Sequence, residues 1–162
     1  MKGYVAMTLP LQPRAAAKRG PYPHILVVED DPACQEMLTL ILEAEGYRVT
    51  CCDDGHAALA LIEADGHTFD VALVDVLLPG VDGFEVIRRL RVQLSTRDLP
   101  VICMTARVAL QDKPQAFQLG CAAFLSKPFT RRALLQAVSG QWTRETDLSS
   151  DTSAIGWADG SM

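Results

Sequence analysis

The chain has no cysteine pair in CxxC spacing, and its three histidines, His24, His56 and His67, stand at no spacing that metal ligation uses. That argues against a soft-metal centre built from a local motif. The five cysteines are Cys34, Cys51, Cys52, Cys103 and Cys121, and the adjacent Cys51 and Cys52 cannot both face one side of a strand. They read as buried, reduced thiols of a cytoplasmic protein rather than as a disulfide framework or a metal cage. The histidines read as surface or loop residues. No apolar run approaches membrane-spanning length, so no membrane insertion is expected. Residues 1–22 are basic, but Pro10, Pro13, Pro21 and Pro23 interrupt any apolar core of the kind a secretory signal needs. Positive charge is scarce in the body of the chain. Residues 24–140 carry ten basic residues against sixteen acidic ones, a balance that disfavours nucleic acid as a direct target.

What is present is one domain's worth of core. The 162 residues are 49% hydrophobic, ample for a single folded unit, and no second domain fits comfortably. Short apolar runs recur at Ile25 to Val28, Val71 to Val74, Val101 to Met104 and Ala122 to Leu125. Continuous apolar character over so few residues is what a strand buried on both faces requires. Tyr47 to Cys51 alternates Arg48 and Thr50 with apolar residues, as an edge strand does.

Helical period fills the intervals. Pro32 stands in a first turn, and Cys34, Leu38, Ile41 and Leu42 form a stripe ending before Gly46. Asp53 or Asp54 caps a second helix with Leu59 and Ile62 inward, and Phe84, Ile87, Leu90 and Leu94 define a third. Pro114 forbids a long fourth helix, which is expected to start at an Asp112 cap, after a loop over Val108 to Gln111, and to end at Gly120. Thr130 caps the last helix, which buries Leu134 and Val138. Five β-α units in strict alternation predict a three-layer α/β domain with a parallel sheet over residues 23–140. A basic, flexible extension over 1–22 and a polar, disordered tail over 141–162 flank it, with Trp142 placed on the end of the last helix.

The chemistry gathers at strand ends. Glu29, Asp30, Asp75, Thr105 and Lys127 each follow one of the apolar runs, and in an open parallel sheet the carboxyl ends of the strands form the ligand-binding edge. Carboxylates brought together repel one another unless a cation shares the site or protons are retained. Oxygen ligands without histidine or cysteine suit Mg²⁺, which keeps waters and favours a phosphoryl oxygen as a further ligand. Lys127 adds a second positive charge and Thr105 a hydroxyl. Those are the parts that phosphoryl transfer to a carboxylate nucleophile needs.

These segments resemble the receiver domain of two-component response regulators, in particular the single-domain, chemotaxis-regulator-like type. Val27-Val28-Glu29-Asp30-Asp31 is similar to that family's acidic pair after the first strand, and Asp75-Val-Leu-Leu-Pro79-Gly-Val-Asp82-Gly83 to the segment that opens on its phosphorylated aspartate. Met104-Thr105-Ala106 resembles the switch threonine, and Phe124-Leu-Ser-Lys127-Pro128-Phe129 the aromatic switch position and the lysine that precedes a cis proline bond. The likeness covers residues 24–140. It implies a flavodoxin-like (βα)5 fold with strand order 2-1-3-4-5. It also implies that Asp75 accepts phosphoryl from the histidine of a sensor histidine kinase or phosphotransfer protein. Asp30 and Asp75 would hold Mg²⁺ directly, Glu29 through water, and the Leu77 carbonyl as a backbone ligand. Thr105 and Lys127 would hold the phosphoryl oxygens, and movement of Thr105 would let Phe124 turn inward. Asp31 has no such role and reads as a cap of the first helix. Where relatives carry residues that orient water, this chain has Leu77 and Arg107, which implies a long-lived phosphorylated state.

The expected function is a stand-alone switch, since no output domain follows residue 140, acting on an unidentified protein target through the surface of the fourth helix, fifth strand and fifth helix. Two other uses of the same residues are a phosphorelay intermediate and, with less room for a substrate pocket, a Mg²⁺-dependent small-molecule phosphatase. A module that keeps the fold without phosphorylation fits poorly with so complete a set of side chains.

Overall fold

Both faces of the central sheet are covered, which is why its inner strands are apolar along their whole length. The computed structural model describes residues 22–65, 68–106 and 112–141. Five strands, β1 (His24–Val28), β2 (Arg48–Cys52), β3 (Val71–Asp75), β4 (Val101–Thr105) and β5 (Ala123–Ser126), alternate with helices α1 (Pro32–Ala44), α2 (Gly55–Asp65), α3 (Gly83–Val92), α4 (Asp112–Gln118) and α5 (Arg131–Ser139). The sheet is parallel in the order β2-β1-β3-β4-β5. Every residue of β3 and β4 is buried, whereas β2, at one edge, buries only Cys52 and exposes Arg48 and Cys51.

Strand alternation divides the core in two. Ile25, Val27, Leu73, Ile102 and Met104 meet Leu38 and Leu42 of α1 and Leu134 and Val138 of α5. Leu26, Val28, Val74, Val101 and Cys103 meet Ala58, Ile62, Phe84, Ile87, Leu90 and Ala116 of α2, α3 and α4. Full burial of each such Leu or Ile contributes about 1.5–3 kcal/mol. The three-layer expectation is thereby met.

Local chemistry fixes the helix ends. The Asp31 carboxylate accepts from the Ala33 amide with Pro32 at N1, Asp54 accepts from Ala57, Asp82 from Glu85, and Thr130 from Ala133. Asp54 rather than Asp53 therefore caps α2. Asp112 is the first helical residue of α4 rather than a cap ahead of it, and the loop expected over Val108 to Gln111 lies outside the described residues. Gly120 ends that helix with φ at +75°, the left-handed conformation anticipated for it.

Two expected core positions are wrong. Leu94 lies beyond the end of α3 and is 83% exposed. Gln93 takes an extended conformation, and the buried Thr96 hydroxyl turns back to the Leu90 carbonyl at 2.9 Å, so the chain leaves the helix there. On α2 the inner face is Gly55, Ala58 and Ile62, with Leu59 half-exposed. Strands β2 and β5 each run one residue later than expected. The thiol and histidine expectations also need correction. Cys51 is exposed and Cys34 half-buried, leaving Cys52, Cys103 and Cys121 buried, and none is in a disulfide. His24 opens β1, half-buried against Phe69, with its Nε2 2.8 Å from the Thr50 hydroxyl. His56 is exposed, and His67 and Trp142 lie outside the described residues. No helix among the described residues is long and apolar enough to cross a membrane.

Candidate functional site

Parallel strands end on a common edge, and their register sets the depth of each end. Val28 pairs with Val74, which brings Glu29 level with Asp75; Asp75 pairs with Met104, and Thr105 with Ser126. The ladder continues one residue past the strands, with the Glu29 amide bonded to the Cys52 carbonyl and the Lys127 amide to the Thr105 carbonyl. Side chains 98 positions apart in sequence, those of Glu29 and Lys127, consequently meet.

The geometry unites the acidic residues with the lysine. Ligand oxygens of Glu29, Asp30 and Asp75 all lie within 4.8 Å of one another. Glu29 and Asp75 are buried, whereas Asp30 faces solvent. The Lys127 ammonium donates to Asp75 Oδ2 at 2.6 Å and also to Glu29 Oε2. The other oxygen of each carboxylate takes a backbone amide: Leu77 donates to Asp75 Oδ1 at 2.9 Å, and Asp31 to Glu29 Oε1 at 3.2 Å. Thr105 is fully buried at the end of β4 on the same side of the sheet as Cys103, and Phe124, level with Cys103, packs half-buried into that core. The Leu77 side chain is exposed beside the cluster, and Arg107 lies outside the described residues. The Lys127-Pro128 bond is cis, as anticipated.

Burial and charge act in opposition here. Burial pushes the Glu29 carboxyl above its ordinary range, the bond from Lys127 opposes that, and the neighbouring Asp75 charge adds to it. Burial works against the Lys127 charge, but the bonds to Asp75 and Glu29 outweigh it and hold the ammonium above its usual value. Burial, reinforced by the Glu29 charge, lifts the nearby Cys34 thiol to about 11, so it is no nucleophile at neutral pH.

Supporting contacts escaped the sequence reading. Gln35 donates its side-chain amide to the Glu29 and Cys52 carbonyls, tying α1 to the ends of β1 and β2. Gly83 sits so close behind the site that a β-carbon there would stand 2.1 Å from the Asp75 carbonyl oxygen. The Asp82-Gly83 pair was a visible signal for the second; a lone glutamine in a first turn gives none for the first.

Among the described residues the donor set is three carboxylates with no histidine or cysteine, which fits a hard divalent cation such as Mg²⁺. Residues 25–139 match the response regulator receiver domain. The DNA-binding dual master transcriptional regulator RpaA of Synechocystis sp. is 40% identical over 116 residues, covering 72% of this chain and 47% of that protein. The chain thus spans about half the length of that curated relative. Among solved structures, the chemotaxis protein CheY4 of Vibrio cholerae superposes with a TM-score of 0.69 at 28% identity, covering 75% of this chain and 99% of that one. The receiver domain of the sensor histidine kinase PA1611 from Pseudomonas aeruginosa PAO1, which holds a magnesium ion in its active-site cleft, gives 0.68 at 34% identity, covering 74% and 97%. With the family match running from β1 to the end of α5 and the relatives sharing both sequence and fold, the chain belongs to the response regulator receiver domain family.

Proposed function

We propose that the protein is a phosphorylation switch in which Asp75 accepts a phosphoryl group from the phosphohistidine of a sensor kinase or phosphotransfer protein. The observation that carries this reading is the convergence of Asp75, Glu29, Asp30 and Lys127 on one sheet edge. Asp75 Oδ2 attacks phosphorus, the bond from phosphorus to the donor imidazole nitrogen breaks, and an acyl phosphate forms on Asp75. Lys127, already on Asp75, turns to an incoming phosphoryl oxygen, and the Thr105 hydroxyl takes another. Asp30, Asp75 and the Leu77 carbonyl would hold Mg²⁺. Glu29, with both oxygens engaged by Lys127 and the Asp31 amide, serves through water. Bound there, the metal supplies positive charge to the oxygens of the transferred group.

Output follows from packing. Drawing Thr105 toward the phosphoryl group opens space on the face it shares with Phe124, and the ring moves inward, changing the surface of α4, β5 and α5 for a protein target. This reading places the chain in the cytoplasm with its kinase, and its acidic body favours a protein over nucleic acid. Leu77 offers water no hydrogen bond beside Asp75, which favours a long-lived acyl phosphate; Leu77→Asn should shorten it. The decisive experiment incubates the chain with candidate phosphorylated kinases and Mg²⁺, then maps the modified residue by mass spectrometry. One phosphoryl group on Asp75, absent from Asp75→Asn and without Mg²⁺, is expected. Labelling elsewhere, or none with any phosphohistidine donor, would overturn the reading.

A further inference from the structure

Away from the acidic edge, two thiols face each other inside the core. Cys103, in the middle of β4, and Cys121, just ahead of β5, bring their sulfurs to 2.8 Å. Both belong to the core on the α2, α3 and α4 side, and Cys121 keeps 6% of its surface open whereas Cys103 has none. A disulfide needs about 2.05 Å between sulfurs, so bond formation asks for less than about 1 Å of movement. A cation stands beside them. Arg91 of α3 donates to the carbonyls of Leu119 and Gly120, the two residues before Cys121, and its charge favours the thiolate of either cysteine.

We propose that Cys103 and Cys121 are a reversible redox pair that forms an intrachain disulfide when the protein meets a peroxide. The Cys121 thiolate attacks one peroxide oxygen, forming an S–O bond as the O–O bond breaks; the departing hydroxide takes a proton to become water. Cys103 then attacks the Cys121 sulfur, an S–S bond forms, the S–O bond breaks, and the hydroxide released takes the Cys103 proton. Two thiols and one hydrogen peroxide become one disulfide and two waters, with two electrons passing from sulfur to oxygen. Cys121 is assigned the attack because it is the more accessible of the two and lies next to the residues Arg91 binds. The hydrogen bond between the two sulfurs holds the Cys121 thiol below the usual value while it and burial push Cys103 up. The new bond would tie β5 to β4 two residues before Thr105 and three before Phe124. Its formation does not depend on the phosphoryl chemistry proposed above, so either can fail without the other.

The test uses the full chain, treated with hydrogen peroxide, alkylated under denaturing conditions and digested without reductant. Trypsin cuts after Arg107 and so separates the two cysteines. A cross-linked peptide pair joining Cys103 to Cys121, two hydrogens lighter than the free pair and released by dithiothreitol, is expected, with loss of both free thiols. In Cys103→Ala, and in Cys103→Ser should alanine impair folding, dimedone should trap a sulfenic acid at Cys121. Recovery of Cys103 and Cys121 as free thiols while the exposed Cys51 is oxidised would overturn the proposal, as would cross-links that join Cys51 or Cys34 instead.

Discussion

The Lys127 ammonium, 2.6 Å from Asp75 and bonded to Glu29 as well, is a single cation shared by two buried carboxylates, while Asp30 lies within 4.8 Å of both acids and faces solvent. Among the described residues, three acids and one base leave a net negative site. A divalent cation should therefore stabilise the fold, with a gain that rises as the logarithm of its concentration above the dissociation constant. At a Mg²⁺ concentration ten times the dissociation constant, the expected gain is about 1.4 kcal/mol, read as a shift in the urea midpoint. Asp30→Asn should abolish most of that gain and raise stability in the absence of metal, because one of three like charges has gone. An equal Mg²⁺ response in wild type and variant would remove Asp30 from the metal site.

Gly83 gives a second, purely steric prediction. A β-carbon at this position would stand 2.1 Å from the Asp75 carbonyl oxygen and 2.7 Å from the Val76 α-carbon, contacts that only backbone movement relieves. Gly83→Ala should cost about 1–3 kcal/mol and displace Asp75, weakening Mg²⁺ binding along with the fold. Gly120 provides the contrast. It has room for a methyl group but sits at φ +75°, so Gly120→Ala should cost about 1–2 kcal/mol without touching the metal response. Urea unfolding and Mg²⁺ titration of both variants separate clash from conformational strain.

Strand ends were legible because a doubly covered parallel sheet must use unbroken apolar runs, so Glu29, Asp75 and Thr105 stood out as the first polar residues after Val28, Val74 and Met104, and Lys127 as the first charged residue after Leu125. Register follows from topology, and topology from strict alternation of β and α units. The misplacements share one cause: local patterns that fit two answers. α2 is apolar nearly all round, from Ala57 to Ile62, so its sequence does not say whether Ala58 or Leu59 faces the sheet. Leu94 continues the spacing of Leu90, yet the Thr96 hydroxyl captures the Leu90 carbonyl and ends the helix first. The approach of Cys103 to Cys121 had no sequence signal at all, since it depends on how the turn after α4 enters β5.

His24 supplies a pH prediction. Burial pulls its imidazole below the ordinary value, the Arg48 charge adds to this, and Asp70 opposes both. The unfolded chain then binds a proton at His24 more readily than the folded one. The stability His24 contributes is present above its unfolded pKa near 6.5 and is lost as pH falls below that value. Glu29, raised by burial, titrates with the opposite sign, so the whole-protein curve mixes the two. Comparing urea midpoints of wild type and His24→Gln between pH 7.5 and 5.5 isolates the histidine. Wild type should lose more stability on acidification than the variant; parallel losses would contradict the assignment.

Arg91 follows Ile87 by four residues and Phe84 by seven, which sets it at the border of the buried face of α3 and apart from the exposed Arg88 and Arg89, and its guanidinium is spent on four backbone carbonyls. It donates to Arg97 at 3.1 Å, Leu99 at 2.8 Å, Leu119 at 3.0 Å and Gly120 at 3.0 Å, joining the approach to β4 with the turn that leads into β5. These carbonyls belong to connections rather than to helices or strands, so no ladder replaces the lost donors. Arg91→Ala should cost about 2–3 kcal/mol. Arg91→Lys should recover only part of that, because a single ammonium cannot reach four acceptors that a planar, forked group spans. Amide exchange offers the sharper check: protection should fall first at Leu99 and Cys121, whose amides bond the Thr96 and Ala116 carbonyls within the two segments Arg91 holds. Arg88→Ala, by contrast, removes an exposed ion pair with Glu85 and should leave that protection unchanged.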